Sequence, residues 1–307
     1  MEKTTIEILL DNNAIKDIAN LSEYENILGR LDELSKSAQL RTHFNLHSFI
    51  EQIEGPRVEE HFKKAQARVQ KAAEICNKSL LLPEEPYLKE CLGSIGSKEV
   101  IEEINHWKGI LNDFCNCTNF EEFEGRLGPL RNFTLNDKRE WYDYGLSIKK
   151  KVSSYVESIK SDDTKIIPFY DTNKLRIFRQ TIFNNLIQRH NLKWVQKLYP
   201  KQEEFVKKAI SLCYQSDIYI YYFYLRDFEG HKSKQSDYVD LAQVIYLDKC
   251  DYIVTNDKNY RNLINKCPFC DLKGRAISLD ELLEQLKKLD FRMPKRAIYN
   301  MCTISFN

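Results

Sequence analysis

The chain has 307 residues, of which 42% are hydrophobic and 30% are charged, and its formal net charge is +1 at pH 7. This length allows two domains or one domain with a large insertion, and the near-neutral charge does not by itself indicate a nucleic-acid partner. No apolar run reaches the length of a membrane span, and the N-terminus lacks the apolar segment of a secretory signal. We therefore expect a cytoplasmic protein with no membrane partner.

Residues 1–55 predict a strand, two helices, a second strand and a third helix. The run Ile6-Glu7-Ile8-Leu9-Leu10 has the apolar β-forming residues of a buried strand, and Asp11 follows at its end. A helix is expected directly afterwards, over 12–19. The remaining elements of this segment are a helix over 26–35, a strand over 39–44 and a helix that carries Ser48 and Glu51.

The middle of the chain predicts helices almost throughout. Charged and apolar residues recur there at helical spacing between Gly, Pro, Asn and Asp breaks, which indicates helices over 57–77, 88–112, 137–161 and 173–198. This region lies between the second acidic candidate, Glu51, and the third, Asp237 or Asp240. We therefore interpret 56–202 as an α-helical insertion in one discontinuous core. That core comprises 1–55 and 203–290, and 291–307 form a C-terminal tail.

The second half of the insertion is basic. Residues 137–201 contain fourteen Lys or Arg and seven Asp or Glu. Cations between aromatic rings suit a phosphate backbone and stacked bases, whereas the same rings on one helical stripe would form ordinary core. The side chains expected to contact RNA are Lys174, Arg176, Arg179, Arg189, Lys193, Trp194 and Lys197.

The chain then returns to the core. A helix is expected over 203–216, and 218–225 has the pattern of a buried strand or helix. The run Ser236-Asp237-Tyr238-Val239-Asp240 has the features of a helix start, with Ser236 or Asp237 as the N-cap. Asp237 and Asp240 are three residues apart and would point the same way from the first turn.

A second strand that ends in an acidic residue occupies 250–258. Tyr252, Ile253 and Val254 predict a short buried strand, and Thr255-Asn256-Asp257 follows at its carboxyl end, where open α/β sheets hold their ligands. The rest of the core is predicted as a helix over 259–267, a strand over 275–278 and a helix over 279–289 that Ser278 and Glu281 cap.

Two strands far apart in sequence can thus bring acidic side chains into one crevice. Carboxylates that gather closely stay ionised when a cation lies among them, and hard oxygen ligands suit Mg²⁺ or Mn²⁺. The predicted metal ligands are Asp11, Glu51, Asp237, Asp240 and Asp257. The predicted supporting residues, which would orient these carboxylates, are Ser48, Thr255 and Asn256.

These motifs, in this order, resemble the PIN-domain nuclease family. The resemblance is carried by Leu9-Leu10-Asp11-Asn12-Asn13, Ser48-Phe49-Ile50-Glu51, Asp240-Leu241-Ala242 and Val254-Thr255-Asn256-Asp257-Lys258. It covers about half of the chain, and the central region is far longer than a minimal domain of this family needs. The family's third acid is a single Asp, for which Asp237 and Asp240 compete here.

The resemblance implies a three-layer α/β/α fold around a mostly parallel sheet. It further implies a metal-dependent endoribonuclease with Asp11, Glu51, Asp240 and Asp257 as catalytic residues, leaving a 5′-phosphate and a 3′-hydroxyl. The resemblance also allows a toxin or defence role with an inhibitory or regulatory protein partner.

Other interpretations compete with this one. Asp11 and Asp237 can be simple helix caps, and Glu51 can be an exposed helix charge. A phosphatase of the haloacid-dehalogenase type would need an acid at Asn13, and a nucleotide-binding Rossmann enzyme would need a Gly-rich turn after the first strand. A non-catalytic PIN-like scaffold that binds RNA or a protein through the insertion remains the alternative function.

The nine cysteines are scattered and odd in number, so we expect free thiols. Cys267-Pro268-Phe269-Cys270 supplies half of a zinc site. Cys250 or the pair Cys115 and Cys117 would have to complete it in space.

Overall fold

The computed structural model describes residues 5–76, 79–159, 173–197, 199, 202–229, 240–268 and 270–288. Five strands form one sheet in the order β3-β2-β1-β4-β5, and every neighbouring pair is parallel. The predicted α/β class with a parallel central sheet is therefore confirmed. The strands are β1 (Ile6–Leu10), β2 (Leu40–Asn45), β3 (Leu80–Leu81), β4 (Tyr252–Val254) and β5 (Ala276–Ile277).

The central strand, β1, is buried on both faces of the sheet. Ile8 and Leu10 belong to one hydrophobic cluster and Leu9 belongs to the other, because successive side chains of a strand point to opposite faces. Parallel sheets need this double cover, and the continuous apolar run of β1 reflects it.

Seven helices pack on the face that contains Ile8 and Leu10. Phe114 joins them at the centre of an aromatic cluster, with ring centroids 5.8 Å from Phe49, 5.7 Å from Phe62 and 5.6 Å from Phe123. The helices are α1 (Asn12–Ala19), α2 (Tyr24–Lys36), α3 (Leu46–Glu54), α4 (Glu59–Ile75), α6 (Ser97–Asn116), the first turns of α7 (Phe120–Ile159) and α13 (Leu279–Lys288).

The other face, which contains Leu9 and Ile253, is covered mainly by segments from the second half of the chain. A 3₁₀ helix over Gln243–Asp248 lies among them, one turn beyond Asp240. The helices are α5 (Glu84–Cys91), α8 (Asn173–Arg189), α9 (Lys193–Gln196), α10 (Gln202–Lys208), α11 (Ile210–Glu229) and α12 (Lys258–Lys266).

The central region departs from the expected helices at four places. One of them is the expected helix 173–198, which is the two helices α8 and α9. Edge strand β3 lies within the segment 56–202 that the sequence assigns to the helical insertion, and Phe44 N donates to Ser79 O at 3.0 Å beside it. The expected helix 88–112 is two helices, because Gly93 at φ +66° ends α5. The expected helix 137–161 is the end of α7, which continues through Pro129.

The 218–225 segment, for which strand and helix were both open, lies within helix α11. Ser278 and Glu281 form the expected capping box of α13, with Glu281 N donating to Ser278 Oγ at 3.2 Å. Among the described residues, no helix is both long and apolar enough to span a bilayer. The C-terminal tail 291–307 lies outside the described residues.

We predict that Phe114→Ala destabilises the protein by about 3–5 kcal/mol, the usual cost of emptying a buried Phe site. Phe114 is fully buried and holds α6 and α7 against the sheet face through three ring contacts. Urea unfolding would measure the loss. Ile101→Ala, a truncation of an exposed side chain on the same helix, should change stability little, and equal losses in both variants would contradict the prediction.

Candidate active site

The carboxyl ends of β1 and β4 meet at the point where the strand order reverses. From β1 the chain builds β2 and β3 on one side of the sheet, and it later builds β4 and β5 on the other side. In open α/β sheets the crevice outside such a reversal is the usual ligand site. Leu10 pairs with Val254, so the next residues, Asp11 and Thr255, lie side by side at this edge.

Asp11 is buried and holds both of its oxygens on protein donors. Oδ1 accepts from Asn12 N at 2.6 Å and so caps α1, and Oδ2 accepts from Thr255 Oγ1 at 2.7 Å. Burial raises the pKa of the Asp11 carboxyl, and the charge of Asp257 adds to the rise. Hydrogen bonds from Thr255, Asn12 and Gln243 oppose the rise without cancelling it.

A polar row extends from Asp11 towards β2. Leu10 pairs with Phe44, which places Asn45 beside Asp11 on the other side. Asn45 Nδ2 donates to Gln243 Oε1 at 2.8 Å, and the Gln243 side chain also bonds the Asp11 carboxylate. Asn45 and Gln243 were not predicted as site residues. The signal that could have indicated Asn45 is its position directly after Phe44 at the carboxyl end of its strand, which matches the position of Asp11 after Leu10.

Glu51 joins the group through α3. Its Oε2 accepts from Asn12 Nδ2 at 3.0 Å, and Asn12 is the residue that Asp11 caps. Burial raises the pKa of the Glu51 carboxyl, and the charges of Asp11 and Glu54 raise it further. The hydrogen bond from Asn12 and the charge of Lys138 act in the opposite direction. The predicted proximity of Glu51 to Asp11 is thus present in the structure.

Asp257 begins α12 on the far side of Thr255. Its Oδ1 accepts from Asn259 N at 2.7 Å and from Tyr260 N at 3.0 Å, which is the geometry of a helix N-cap. Asp257 N donates to Thr255 Oγ1 at 3.2 Å. One fully buried threonine hydroxyl therefore connects Asp257 to Asp11.

Tyr260 brings Asp240 into the same group. Its phenol oxygen is buried and makes no hydrogen bond to any residue that the structure describes. Burial raises the pKa of this phenol well above its ordinary value, and the charges of Asp240, Asp11 and Asp257 raise it further. The charge of Asp240 thus acts on the same buried hydroxyl as the charges of Asp11 and Asp257. Asp237, the competitor of Asp240, lies outside the described residues.

The carboxylates lie near one another but bind protein donors. Within the described residues, no three His, Cys, Asp or Glu side chains are arranged as a ready-made set of metal ligands. Asp11 and Asp257 bind helix N–H groups, and Glu51 binds an amide. These oxygen atoms are hard ligands, and they point towards the N-termini of α1 and α12, where the helix dipole favours anions.

The predicted supporting residues have different positions. Thr255 contacts Asp11 directly, as expected for a residue that orients a carboxylate. Ser48 donates its backbone N–H to Asn45 Oδ1 at 2.7 Å, and its buried hydroxyl has no partner among the described residues. Asn256 bonds Asp17 and accepts from Leu279 N at 3.2 Å, so it ties the strand end to α1 and α13.

The predicted basic surface is divided. Arg179 is buried and binds Asp217 through two hydrogen bonds of 2.8 and 2.7 Å, so it cannot serve as a surface contact for RNA. Arg189 pairs with Asp137 at 3.0 Å and with Glu140 at 3.2 Å. Lys193, Trp194 and Lys197 are exposed, and the side chains of Lys174 and Arg176 lie outside the described residues.

The CxxC motif lies at the end of α12. Cys267 and Cys270 are buried next to each other, and Cys267 Sγ is 3.9 Å from the Asp217 carbonyl oxygen. The hydrogen bond to Cys267, together with burial, raises the pKa of the Cys270 thiol well above its ordinary value. Nothing among the described residues supplies the further ligands that a zinc ion would need at this pair.

We predict that Glu51→Gln stabilises the protein at neutral pH. The pKa of folded Glu51 is raised above its ordinary value of 4.5, so the folded protein binds a proton more tightly than the unfolded chain does. Stability is then lost as pH rises through the raised pKa, and the amide avoids this loss. In EDTA the Tm should rise by roughly 2 °C at pH 7–8, the scale of about 1 kcal/mol.

The same comparison at pH 4 supplies the internal control, because Glu51 is then mostly protonated in both states and the two melting temperatures should differ less. Glu102→Gln, a change at an exposed glutamate of α6, should show no such divergence with pH. If the difference in Tm between Glu51→Gln and wild type stayed constant from pH 4 to 8, the prediction that ionised Glu51 destabilises the folded protein would be contradicted.

Comparisons with protein-family models, with curated proteins and with solved structures found no match.

Proposed function

We propose that this chain is a metal-dependent endoribonuclease with a PIN-like fold. The observation that carries the proposal is that Asp11, Glu51 and Asp257 meet at one sheet edge from segments almost 250 residues apart, with Asn12 and Thr255 hydrogen-bonded between them. A single aspartate after a strand is an ordinary cap, but neighbouring carboxylates in which Asp257 raises the pKa of Asp11, and Asp11 raises the pKa of Glu51, are typical of a functional site.

The carboxylate oxygens are of the hard type that Mg²⁺ and Mn²⁺ prefer. Burial and like charge disfavour the ionised forms of Asp11 and Glu51, and a nearby cation would favour them. The buried Tyr260 hydroxyl, which lacks a described partner, could donate to a carboxylate or to water beside such an ion. When bound, the metal would supply an activated water and neutralise charge on a phosphodiester.

Residues of the chain perform the remaining tasks in this proposal. Thr255 and Gln243 hold the Asp11 carboxylate in one orientation, and Asp257 is fixed by the first turn of α12. The N-termini of α1 and α12 both begin at this edge, and helix N-termini favour the phosphate of a substrate. Lys193, Trp194 and Lys197 would contact more distant parts of the RNA.

The proposal predicts that Asp11→Asn and Asp257→Asn each lower Mn²⁺-dependent RNA cleavage at least about 100-fold, since each removes a charge that would hold the metal. Purified protein would be incubated with labelled single-stranded RNA with Mn²⁺ or with EDTA. Asp32→Asn is the matched control, because Asp32 forms an exposed ion pair with Lys36 away from this edge.

Circular dichroism and Tm would verify that each variant is folded. Equal cleavage by wild type and both folded site variants would assign the activity to a contaminant and reject the proposal. Binding of RNA without cleavage, unchanged in these variants, would instead favour the non-catalytic scaffold.

We further predict that Thr255→Val weakens metal binding about 10- to 100-fold, the usual cost of losing a residue that orients a ligand. Valine keeps the shape of threonine but leaves Asp11 Oδ2 without its donor. The Mn²⁺ concentration that half-saturates the rise in Tm gives the affinity independently of activity. Thr255→Ser should restore it, whereas failure of serine to rescue would indicate a packing role only.

A further inference from the structure

A cleft with a volume of about 530 Å³ lies beside the candidate active site. It is lined by residues of α3, α6 and α7, by the start of α5 and by the end of α8. Its lining also includes Glu51 and Ala242, which precedes the Gln243 that bonds Asp11. The volume is within the range of about 300–1,000 Å³ that is usual for ligand pockets.

Aromatic and apolar groups form part of the lining of this cleft. Phe133 is 69% exposed, more than any other large hydrophobic side chain in the described residues. Trp107 of α6 lines the same cleft, and its indole N–H donates to Glu103 Oε1 at 3.0 Å, which fixes the ring. Rings that are held at the rim of a cleft can stack on a flat ligand.

The charges of the lining are mainly negative. Six carboxylates and only two permanent cations line the cleft. The cations are already paired, since Lys138 Nζ is 2.9 Å from Glu54 Oε2 and Arg189 is 3.0 Å from Asp137 Oδ1. Such a lining repels phosphate, but it offers acceptors to a neutral ring that carries N–H donors.

We propose that the cleft binds an unpaired nucleobase with an exocyclic amino group, next to the phosphodiester that is cut at the acidic edge. The base would stack on Phe133, and its amino group would donate to a lining carboxylate, as cytosine N4 donates to Glu or Asp elsewhere. Glu51 lines both the cleft and the acidic group, so the two sites are continuous. This inference rests on the proposed ribonuclease function.

The inference makes the enzyme selective for single strands, because a paired base cannot leave its helix without losing its stacking and pairing energy. It also predicts that cytosine or adenine is preferred to uracil, which has no exocyclic amino group. The acidic lining would also suit a positively charged peptide or a polyamine, which is the alternative ligand for this cleft.

The test compares wild type, Phe133→Ala and Phe133→Tyr on single-stranded oligo(A), oligo(C) and oligo(U) of equal length. Loss of one base–aromatic stack should raise KM roughly 5- to 100-fold in Phe133→Ala, with a smaller effect on kcat. Phe133→Tyr keeps the ring and should stay near the wild-type KM. Ile101→Ala removes an exposed apolar side chain outside the cleft and serves as the control.

Affinities of the same uncut oligonucleotides, measured by fluorescence anisotropy in the Asp11→Asn background, separate this inference from the proposed function. If the wild type cleaves RNA and Phe133→Ala has the same KM and the same affinity as the wild type, the base site is overturned but the ribonuclease function is not. The cationic alternative is tested with spermidine and an oligolysine. If Phe133→Ala weakens their binding but leaves the binding of oligonucleotides unchanged, the base site is overturned in favour of a cationic ligand. Absence of any metal-dependent cleavage would overturn the ribonuclease itself.

Discussion

The pairing of β1 with β4 is the constraint on which the candidate site depends. Their parallel register sets Leu10 against Val254 and so places the Asp11 carboxylate within 2.7 Å of the Thr255 hydroxyl. A slip of one residue would turn every side chain of β4 to the opposite face and bring Val254 to the position of Thr255. The two hydrophobic clusters oppose such a slip, because Ile253 and Val254 are fully buried on opposite faces.

The buried carboxylates of the candidate site destabilise the fold when they are ionised. Burial makes the ionised forms of Asp11 and Glu51 unfavourable, and each additional carboxylate increases the repulsion. The surrounding fold compensates with donors, namely helix N–H groups, the Thr255 hydroxyl and the Asn12 and Gln243 amides. Buried carboxylates of this kind are common at functional sites, and neutral substitutions there commonly raise stability.

Local sequence patterns predicted much of the core. The apolar run before Asp11, the helix over 12–19, the strand before Thr255 and the box at Ser278 and Glu281 all have signals within a few residues. Strand β3 has only two residues, too few for any periodicity. The partners Gln243 and Tyr260 escaped notice because their roles arise from contacts across the sheet edge. Arg179 was misplaced for the same reason, since Asp217 binds it from another helix.

The order of synthesis has a consequence for this sheet. The strands β1, β2 and β3 leave the ribosome early, whereas β4 follows after the long central region. At 5–20 residues per second the interval is roughly ten to thirty seconds, during which one edge of β1 has no partner. Nascent chains therefore expose an apolar strand edge that can pair with other chains. They also lack Thr255 and Asp257 throughout that interval, so the acidic group is completed only after β4 has been made.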